Sequence, residues 1–514
     1  MNKRNIKKLM LATMTFTLLF ILTACRGTAE KSDRLVVAQN ADAKTLDPHG
    51  ANEASSSLVI TQLFDTLFIL DEDRNIVPGL AEEYTLFPDN VTYEFKLRED
   101  VYFHNGEKMT AEDVAFSFKR AAKSPHVSHI VGQIDPNGIE ILDDYKIRVT
   151  TKEPYAPFLA NLTHSAASIM NEKAVLEAGE EVGRNPIGTG PFELVKWNTG
   201  NSIEMQRFED HHGELPVYSE LEIRVIAENS NRAIELEAKG VDIAINIDAT
   251  DMGRIDESSN LTLLRKETFS TQHIGFNQNV EPFNNVLVRQ AINYAVNVPM
   301  IHETLLTGVG SISKGPINTN VWGAKIDLPE YKYNLEKARE LMADAGYEGG
   351  FTTELWVPDS GAGPIIAEAV ASQLTEIGID ANITLKEWGA YIDAISNNDH
   401  EMYFMAWSSV TGDADYGLYS LFHSSQSPAA GNRTFFVNER VDELLEMGRS
   451  TIDEAVRLEI YAELQEIIVE EAPWLFLVSG ETLVGIQGNI RGLRLNPTGQ
   501  HRFAGVYFET ENQD

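Results

Sequence analysis

An α/β fold divided into two or three domains is what this sequence predicts, on three observations. The second half of the chain repeats a helix, glycine, strand grammar. Asn334 stands where an N-cap should, Ala338, Leu341, Met342 and Ala345 follow at helical spacing, and Gly346 closes the segment. Ile366, Ala369, Val370, Leu374 and Ile377 make a second such helix, stopped by Gly378, and Ile379, Ala381, Ile383 and Leu385 then alternate as a strand. The second observation is the stretch Leu80–Phe118. Tyr93, Phe95 and Leu97 share one face and Thr92, Glu94, Lys96 and Arg98 the other, the period of a half-buried strand. Asn105-Gly106 supplies a turn, and Thr110 caps a helix with Glu112 and Asp113 in its first turn. Third, 514 residues with 43% apolar and 23% charged side chains suffice for a large core and argue against bulk disorder.

The amino terminus is a targeting segment. Lys3, Arg4, Lys7 and Lys8 form a basic region, and the apolar run Leu9–Leu22 is short for a membrane span. It ends in Leu22-Thr23-Ala24-Cys25, which looks like a bacterial lipobox: residues 1–24 would be removed and Cys25, the one cysteine, would carry lipid. Removing those four positive charges takes the formal net charge from −35 to −39. Residues 25–33 are polar and read as a tether. A single thiol leaves no internal disulfide and no multi-thiolate metal site. An excess of 77 acidic over 42 basic residues argues against nucleic acid or anionic headgroups as main partners.

In chain order, Leu35–Ala38 is a short buried strand, Ser55–Phe68 has helical spacing, and Leu67–Leu70 reads as a strand. Gly138–Leu142 and Lys146–Thr150 form a strand pair around Asp143-Asp144. Gly188-Thr189-Gly190-Pro191-Phe192 lacks the Lys-Ser/Thr of a phosphate loop and reads as a turn. Leu221–Ile226 alternates, Asn229–Lys239 is helical and Ile243–Ile247 is a buried strand. Val288, Ala291, Ile292, Ala295 and Val296 line one helical face, as do Val456, Ile460, Leu464, Ile467 and Ile468 within Asp453–Glu471. Trp474–Leu477 gives a return strand.

Several of these motifs together resemble the extracytoplasmic solute-binding proteins of family 5, which feed peptide, nickel and glutathione ABC importers. They are the LAE…TYEFKLR…FHNG…T-A-EDV-FSF run within Leu80–Phe118, Leu46-Asp47-Pro48, the GTGPF turn, and His273-Ile274-Gly275-Phe276-Asn277 followed by Pro282-Phe283. The resemblance implies a type II periplasmic-binding-protein-like fold, two lobes joined by crossing hinge strands plus an extra small lobe. By it, residues 34–60 and 184–274 belong to the first lobe, 61–183 to the extra lobe and 275–478 to the second lobe, with 479–514 returning to the first. It further implies a monomer that closes on a solute and docks on an ABC permease with its ATPases, anchored by lipid to the outer face of the cell membrane.

The expected binding segment is Met405–Tyr416, a buried strand running into a loop of small residues with two carboxylates. A carboxylate there would take a ligand ammonium, and Trp407 and Tyr416 would cover apolar surface. The segment resembles the Trp…Gly-Asp-x-Asp loop of dipeptide- and glutathione-binding relatives, in which an aspartate accepts the peptide amino group. That marks Thr411, Gly412, Asp413, Asp415 and Tyr416, with no choice between the two aspartates; the competing expectation is that they cap the helix that follows. Dipeptide-binding relatives hold the ligand carboxylate with an arginine near the start of the helix Pro364–Ile377, and here Ser360–Ile366 carries no basic residue. Strict dipeptide recognition is thereby weakened, and Arg433 is the candidate replacement. Asn40 is the expected contact from the first jaw.

No cofactor and no metal site is expected. His126/His129 and His211-His212 are the close histidine pairs, and neither has an evident third ligand. No G-x-S-x-G elbow, HExxH or phosphate loop supports an enzyme. The alternatives are a nickel- or metallophore-binding protein of an ABC importer and a lipid-anchored surface hydrolase.

Overall fold

The computed structural model describes residues 33–71, 73–359, 361–427 and 431–509. The leader, the lipobox Cys25 and the start of the tether lie outside them.

One 11-stranded sheet runs through the molecule. Its order is Ile379–Lys386, Phe351–Pro358, Met402–Ser408, Leu261–Phe276, Trp474–Gln487, Ile243–Ile245, Arg34–Gln39, Glu220–Val225, Ser202–Arg207 and Phe192–Asn198, with Ser311–Ile312 paired beside Trp474–Gln487. The two middle strands, Leu261–Phe276 and Trp474–Gln487, are long and antiparallel and belong to both halves. On one side Trp474–Gln487 borders Ile243–Ile245; on the other, Leu261–Phe276 borders Met402–Ser408. Their register slips between Glu267 and Thr271 and again between Thr271 and His273. Such irregularities leave residues unpaired and bend the ribbon, so the pair is weakest midway between the halves.

Local sequence explains these elements. Tyr93, Phe95 and Leu97 are buried on the face of Thr92–Leu97 that the alternation predicts. That strand belongs to a separate four-stranded sheet, Ala81–Leu86, Thr92–Leu97, Lys146–Thr151 and Ile134–Asp143. Thr110 and Asp113 form a capping box on Ala111–Ala121, whose apolar side closes this sheet into its own core with Phe118, Ile130 and Phe158. Asn334, Gly346 and Gly378 act as expected: Asn334 Oδ1 accepts from Lys337 N, and both glycines have positive φ, at 84° and 82°. The return strand runs on to Gln487, further than the apolar run at Trp474–Leu477 suggests, with half-exposed Gly480 and Glu481 interrupting an otherwise buried strand.

The GTGPF turn has a packing reason for its glycines. A Cβ on Gly190 would stand 2.5 Å from the Leu63 carbonyl carbon, and one on Gly188 would collide with the Leu63 oxygen. Gly190 N donates to Leu63 O at 3.0 Å, and His104 N donates to Gly188 O at 2.9 Å. The turn thus seals the end of helix Ala54–Leu63 and ties the smaller sheet's body to the larger one. Further cores flank the large sheet, three of them extensive. One centres on Leu35, Phe64, Ile223 and Ile486; another on Ile274, Ile292, Val357 and Phe404; the third on Leu418, Tyr461, Leu464 and Trp474. Among the described residues, no helix is long and apolar enough to cross a membrane.

Candidate functional site

Strand Met402–Ser408 delivers its end to the loop singled out from sequence. Trp407 leaves the strand half-buried and stacks on Tyr416, ring centroids 5.8 Å apart and planes inclined at 28°. Tyr416 in turn packs against the core of the smaller sheet. Burial pushes its hydroxyl up to about 12, with a hydrogen bond from Asn52 opposing the shift. Asn52 also meets His129 Nε2 at 3.1 Å, so segments from three parts of the chain converge on this aromatic pair.

Asp413 and Asp415 are both engaged within the protein. Asp413 caps helix Ala414–Phe422, its Oδ1 accepting from Asp415 N at 2.9 Å. Both its oxygens also accept from Arg457, Nη1 and Nη2 each at 2.7 Å, with the two side chains 5% and 7% exposed. Burial alone would weaken the guanidinium's hold on its proton, and the charge of Asp413 more than reverses this. Asp415 accepts from Arg449 Nε at 3.1 Å and Nη2 at 3.0 Å, and from the Tyr155 hydroxyl at 3.1 Å. Arg449 also lies flat on Tyr419, 3.4 Å from the ring centre. Neither carboxylate is bare: a ligand ammonium at either would have to share or displace an arginine partner. Their charge is matched by arginine in a buried setting, where two partners must stay together. The capping alternative describes Asp413.

The loop separates two cavities. Val410 faces the smaller, which is also lined by Thr61 and Phe64 of helix Ala54–Leu63, by Thr163 and the segment His164–Ser168, and by Asn496, Thr498, Gln500 and Arg502. It holds only about 20 Å³. Thr411, Gly412 and Asp413 face the larger, about 700 Å³, between Phe68–Tyr93 of the smaller body and Trp322, Glu454 and Arg457. Gly412 has φ 74° and lies against Phe269 and Leu70, so a side chain there would be strained and crowded. In the first cavity burial drives His164 down to about 3, and it is a neutral acceptor for Ala166 N.

Five expected contacts, Asn40, Trp407, Asp415, Tyr416 and Arg433, line neither cavity. Asn40 is exposed at the end of strand Arg34–Gln39 and its Oδ1 accepts from Asn246 at 3.4 Å. Arg433 is half-buried, its Nε shielded from solvent and unpaired, and its backbone oxygen meets His400 Nε2 at 2.8 Å. Neither lines the two cavities. Sequence reading missed Arg457, Arg449, Tyr155, His164 and Arg502. The partners of Arg457, Arg449, Tyr155 and Arg502 are far away in sequence, His164 turns onto its own segment, and each looks locally like a solvated or core position.

A family model described as bacterial extracellular solute-binding proteins, family 5 matches residues 75–429. The glutathione-binding protein GsiB of Escherichia coli K12 is 30% identical over 472 residues, covering 90% of this chain and 92% of that protein. The structure of DppA from Helicobacter pylori in complex with the peptide STSA superposes with TM-score 0.82 at 28% identity, covering 93% of this chain and 99% of that one. NikZ from Campylobacter jejuni in complex with Ni(L-His) superposes with TM-score 0.79 at 25% identity, over 90% and 96% of the two chains. With a crossing-strand sheet, a second smaller sheet and matches along nearly the whole described length, this chain belongs to the bacterial extracellular solute-binding proteins, family 5.

Proposed function

We propose that this protein captures a peptide or glutathione-like solute for an ABC importer, in the cavity bounded by Val410, His164–Ser168 and Asn496–Arg502. The observation that carries the reading is convergence. This cavity draws on the helix beside one half of the large sheet, the strand end of the other half, the smaller body and the C-terminal return. A ligand can favour closure only through contacts on both sides of a hinge. Its lining of hydroxyls and amides, Thr61, Thr163, Ser165, Ser168, Asn496, Thr498 and Gln500, suits the amide groups of a peptide, and Arg502 suits a carboxylate. At about 20 Å³ the jaws leave no room for such a solute, so they part to admit it at the register slips of the crossing strands.

In this reading Val410 is the moving jaw's contact, and Trp407, Thr411, Gly412, Asp413, Asp415 and Tyr416 hold the loop that carries it. The chain works as a binder without turnover, is carried at the cell surface by lipid on Cys25, and delivers its solute to a membrane permease. The lobes are 34–60 with 184–274 and 479–514, the extra lobe 61–183, and the second lobe 275–478.

The test is thermal shift of the full chain against dipeptides, longer peptides, reduced and oxidised glutathione, and nickel with and without histidine. A hundredfold excess over Kd adds about 2.7 kcal/mol. Stabilisation by a peptide or glutathione that is lost in Val410→Phe, which fills the cavity, supports the assignment. A shift with nickel and histidine alone transfers it to chelated-metal capture, and stabilisation untouched by Val410→Phe removes the cavity from it.

A further inference from the structure

We infer that Asp65, His211 and His212 form a binding site for a divalent ion of the zinc class. The three residues come from separate parts of the fold. Asp65 follows helix Ala54–Leu63 and is 3% exposed; the histidines lie in the turn after Phe208. One donor atom from each lies within 4.8 Å of the others. Read as sequence, the histidine pair lacks a third ligand; the fold supplies it.

The second observation concerns hydrogen bonding. His211 Nε2 and His212 Nδ1 are both buried with no partner. His211 Nε2 stands 3.8 Å from Asp65 Oδ2, beyond hydrogen-bond distance. A buried ring nitrogen without a partner is unfavourable, and what sets this pair apart from the other unpartnered histidines is the one carboxylate that both stand beside. Two unpartnered imidazoles grouped with one carboxylate make a donor set that one cation would satisfy.

The donor set selects the ion. Imidazole nitrogen with carboxylate oxygen suits zinc and its neighbours, whereas magnesium and calcium take oxygen ligands. Zinc ligands lie about 2.0–2.2 Å from the metal. The carboxylate is oriented from behind: Arg502 Nη1 donates to Asp65 Oδ1 at 2.8 Å and Thr189 Oγ1 to Oδ2 at 3.2 Å. Arg502 is 33% exposed, so its charge has water to turn into when a cation arrives. Binding through His211 Nε2 requires the proton on Nδ1, which gives up the long 3.2 Å contact from Gly213 N. An ion here would fasten the end of helix Ala54–Leu63 to the turn at His211, behind the Arg502 wall of the smaller cavity.

The experiment is calorimetric titration of the full chain, prepared without a histidine tag and stripped with chelator, with zinc chloride and nickel chloride. One equivalent is expected to bind. His211→Gln and His212→Gln should each weaken it by about 10- to 100-fold or more, while the exposed His126→Gln leaves it unchanged. Apo melting temperatures of all variants guard against misfolding, and cobalt absorption of the wild-type chain reports imidazole coordination directly. Equal binding by wild type and both ligand variants, or no binding by wild type, overturns the site. Solute capture by a protein that binds no metal leaves the proposed function standing and this site refuted.

Discussion

Replacing Arg457 by methionine separates an anchoring role for Asp413 from a ligand-contacting one. Arg457 makes two 2.7 Å bonds to Asp413, one of 2.7 Å to Gly448 O and one of 3.0 Å to the Tyr461 hydroxyl, all out of water. Methionine keeps most of the side-chain volume, so the cavity contribution is small and the loss is electrostatic. Removing one member of such a pair leaves a bare buried charge and costs about 3–5 kcal/mol. Adding Asp413→Asn removes the charge while keeping an oxygen to cap Ala414–Phe422, and should recover about half of that loss. The assay is urea unfolding followed by tryptophan fluorescence. Trp322 is a reporter in the same unit, its ring 4.5 Å from the Arg457 guanidinium carbon. A loss below about 1 kcal/mol in Arg457→Met would refute the anchoring argument. So would an Asp413→Asn variant of unchanged stability that no longer binds solute, since that pattern belongs to a ligand acceptor.

Three further outcomes are expected. Tyr155→Phe removes the hydroxyl that donates to Asp415 at 3.1 Å and accepts from Asn161 at 2.9 Å, at a cost of about 1–2 kcal/mol. Hydrogen exchange should quicken in Phe158–Asn161 and at the start of Ala414–Phe422, and unchanged protection there argues against the contact. Gly190→Ala should lose more than about 2 kcal/mol to the clash with Leu63, whereas helical Gly253→Ala, with open space around its Cβ, should be neutral or stabilising by about 0.5–1 kcal/mol; comparable melting temperatures for the pair would contradict the packing. His164, held neutral at about 3 against an ordinary 6.5, makes the folded form bind fewer protons than the unfolded one below pH 6.5. Stability therefore falls as pH drops from 6.5 towards 3, by about 2 kcal/mol at pH 5. His164→Gln should flatten that part of the pH–stability curve, and an unaltered slope counts against burial of the neutral ring.

The fold was largely legible because its elements carry their own instructions. The alternation at Thr92–Leu97, the cap at Thr110, and the stops at Gly346 and Gly378 need only neighbours in sequence. The crossing strands were legible only in part. Trp474–Leu477 reads as an ordinary buried strand, and nothing local says that it continues across the hinge to Gln487. The site was least legible. The loop Trp407–Tyr416 was visible as small residues with carboxylates between aromatics, but what those carboxylates do depends on Arg457 and Arg449. Both arginines sit on helices whose patterns read equally well as solvated faces. The same holds for Asp65, which meets His211, Thr189 and Arg502 only after the GTGPF turn has folded back on Leu63.

That division of labour bears on how such a receptor responds. The contacts joining the second half of the sheet to the smaller body do not involve the smaller cavity: Tyr155 to Asp415, Ala156 N to Arg449 O at 2.8 Å, and Arg74 Nη1 to Asn320 O at 3.0 Å. In the proposed closing motion they would favour the closed form with or without a solute. A ligand adds only its differential affinity for the closed form, and moving a two-state balance from 1:99 to 99:1 takes about 5.5 kcal/mol. Each closing contact made by the protein alone lowers that requirement, and too many would lock the jaws before anything entered. The register slips at Glu267–His273 work in the other direction, because a ribbon with unpaired positions costs little to bend. On the proposed function, affinity would be set by two separable sets of residues, the cavity lining and the contacts around Asp415. Variants of the Asp415 contacts should shift the apparent affinity for every solute by one common factor, whereas variants of Val410 or Arg502 should change the ranking among solutes.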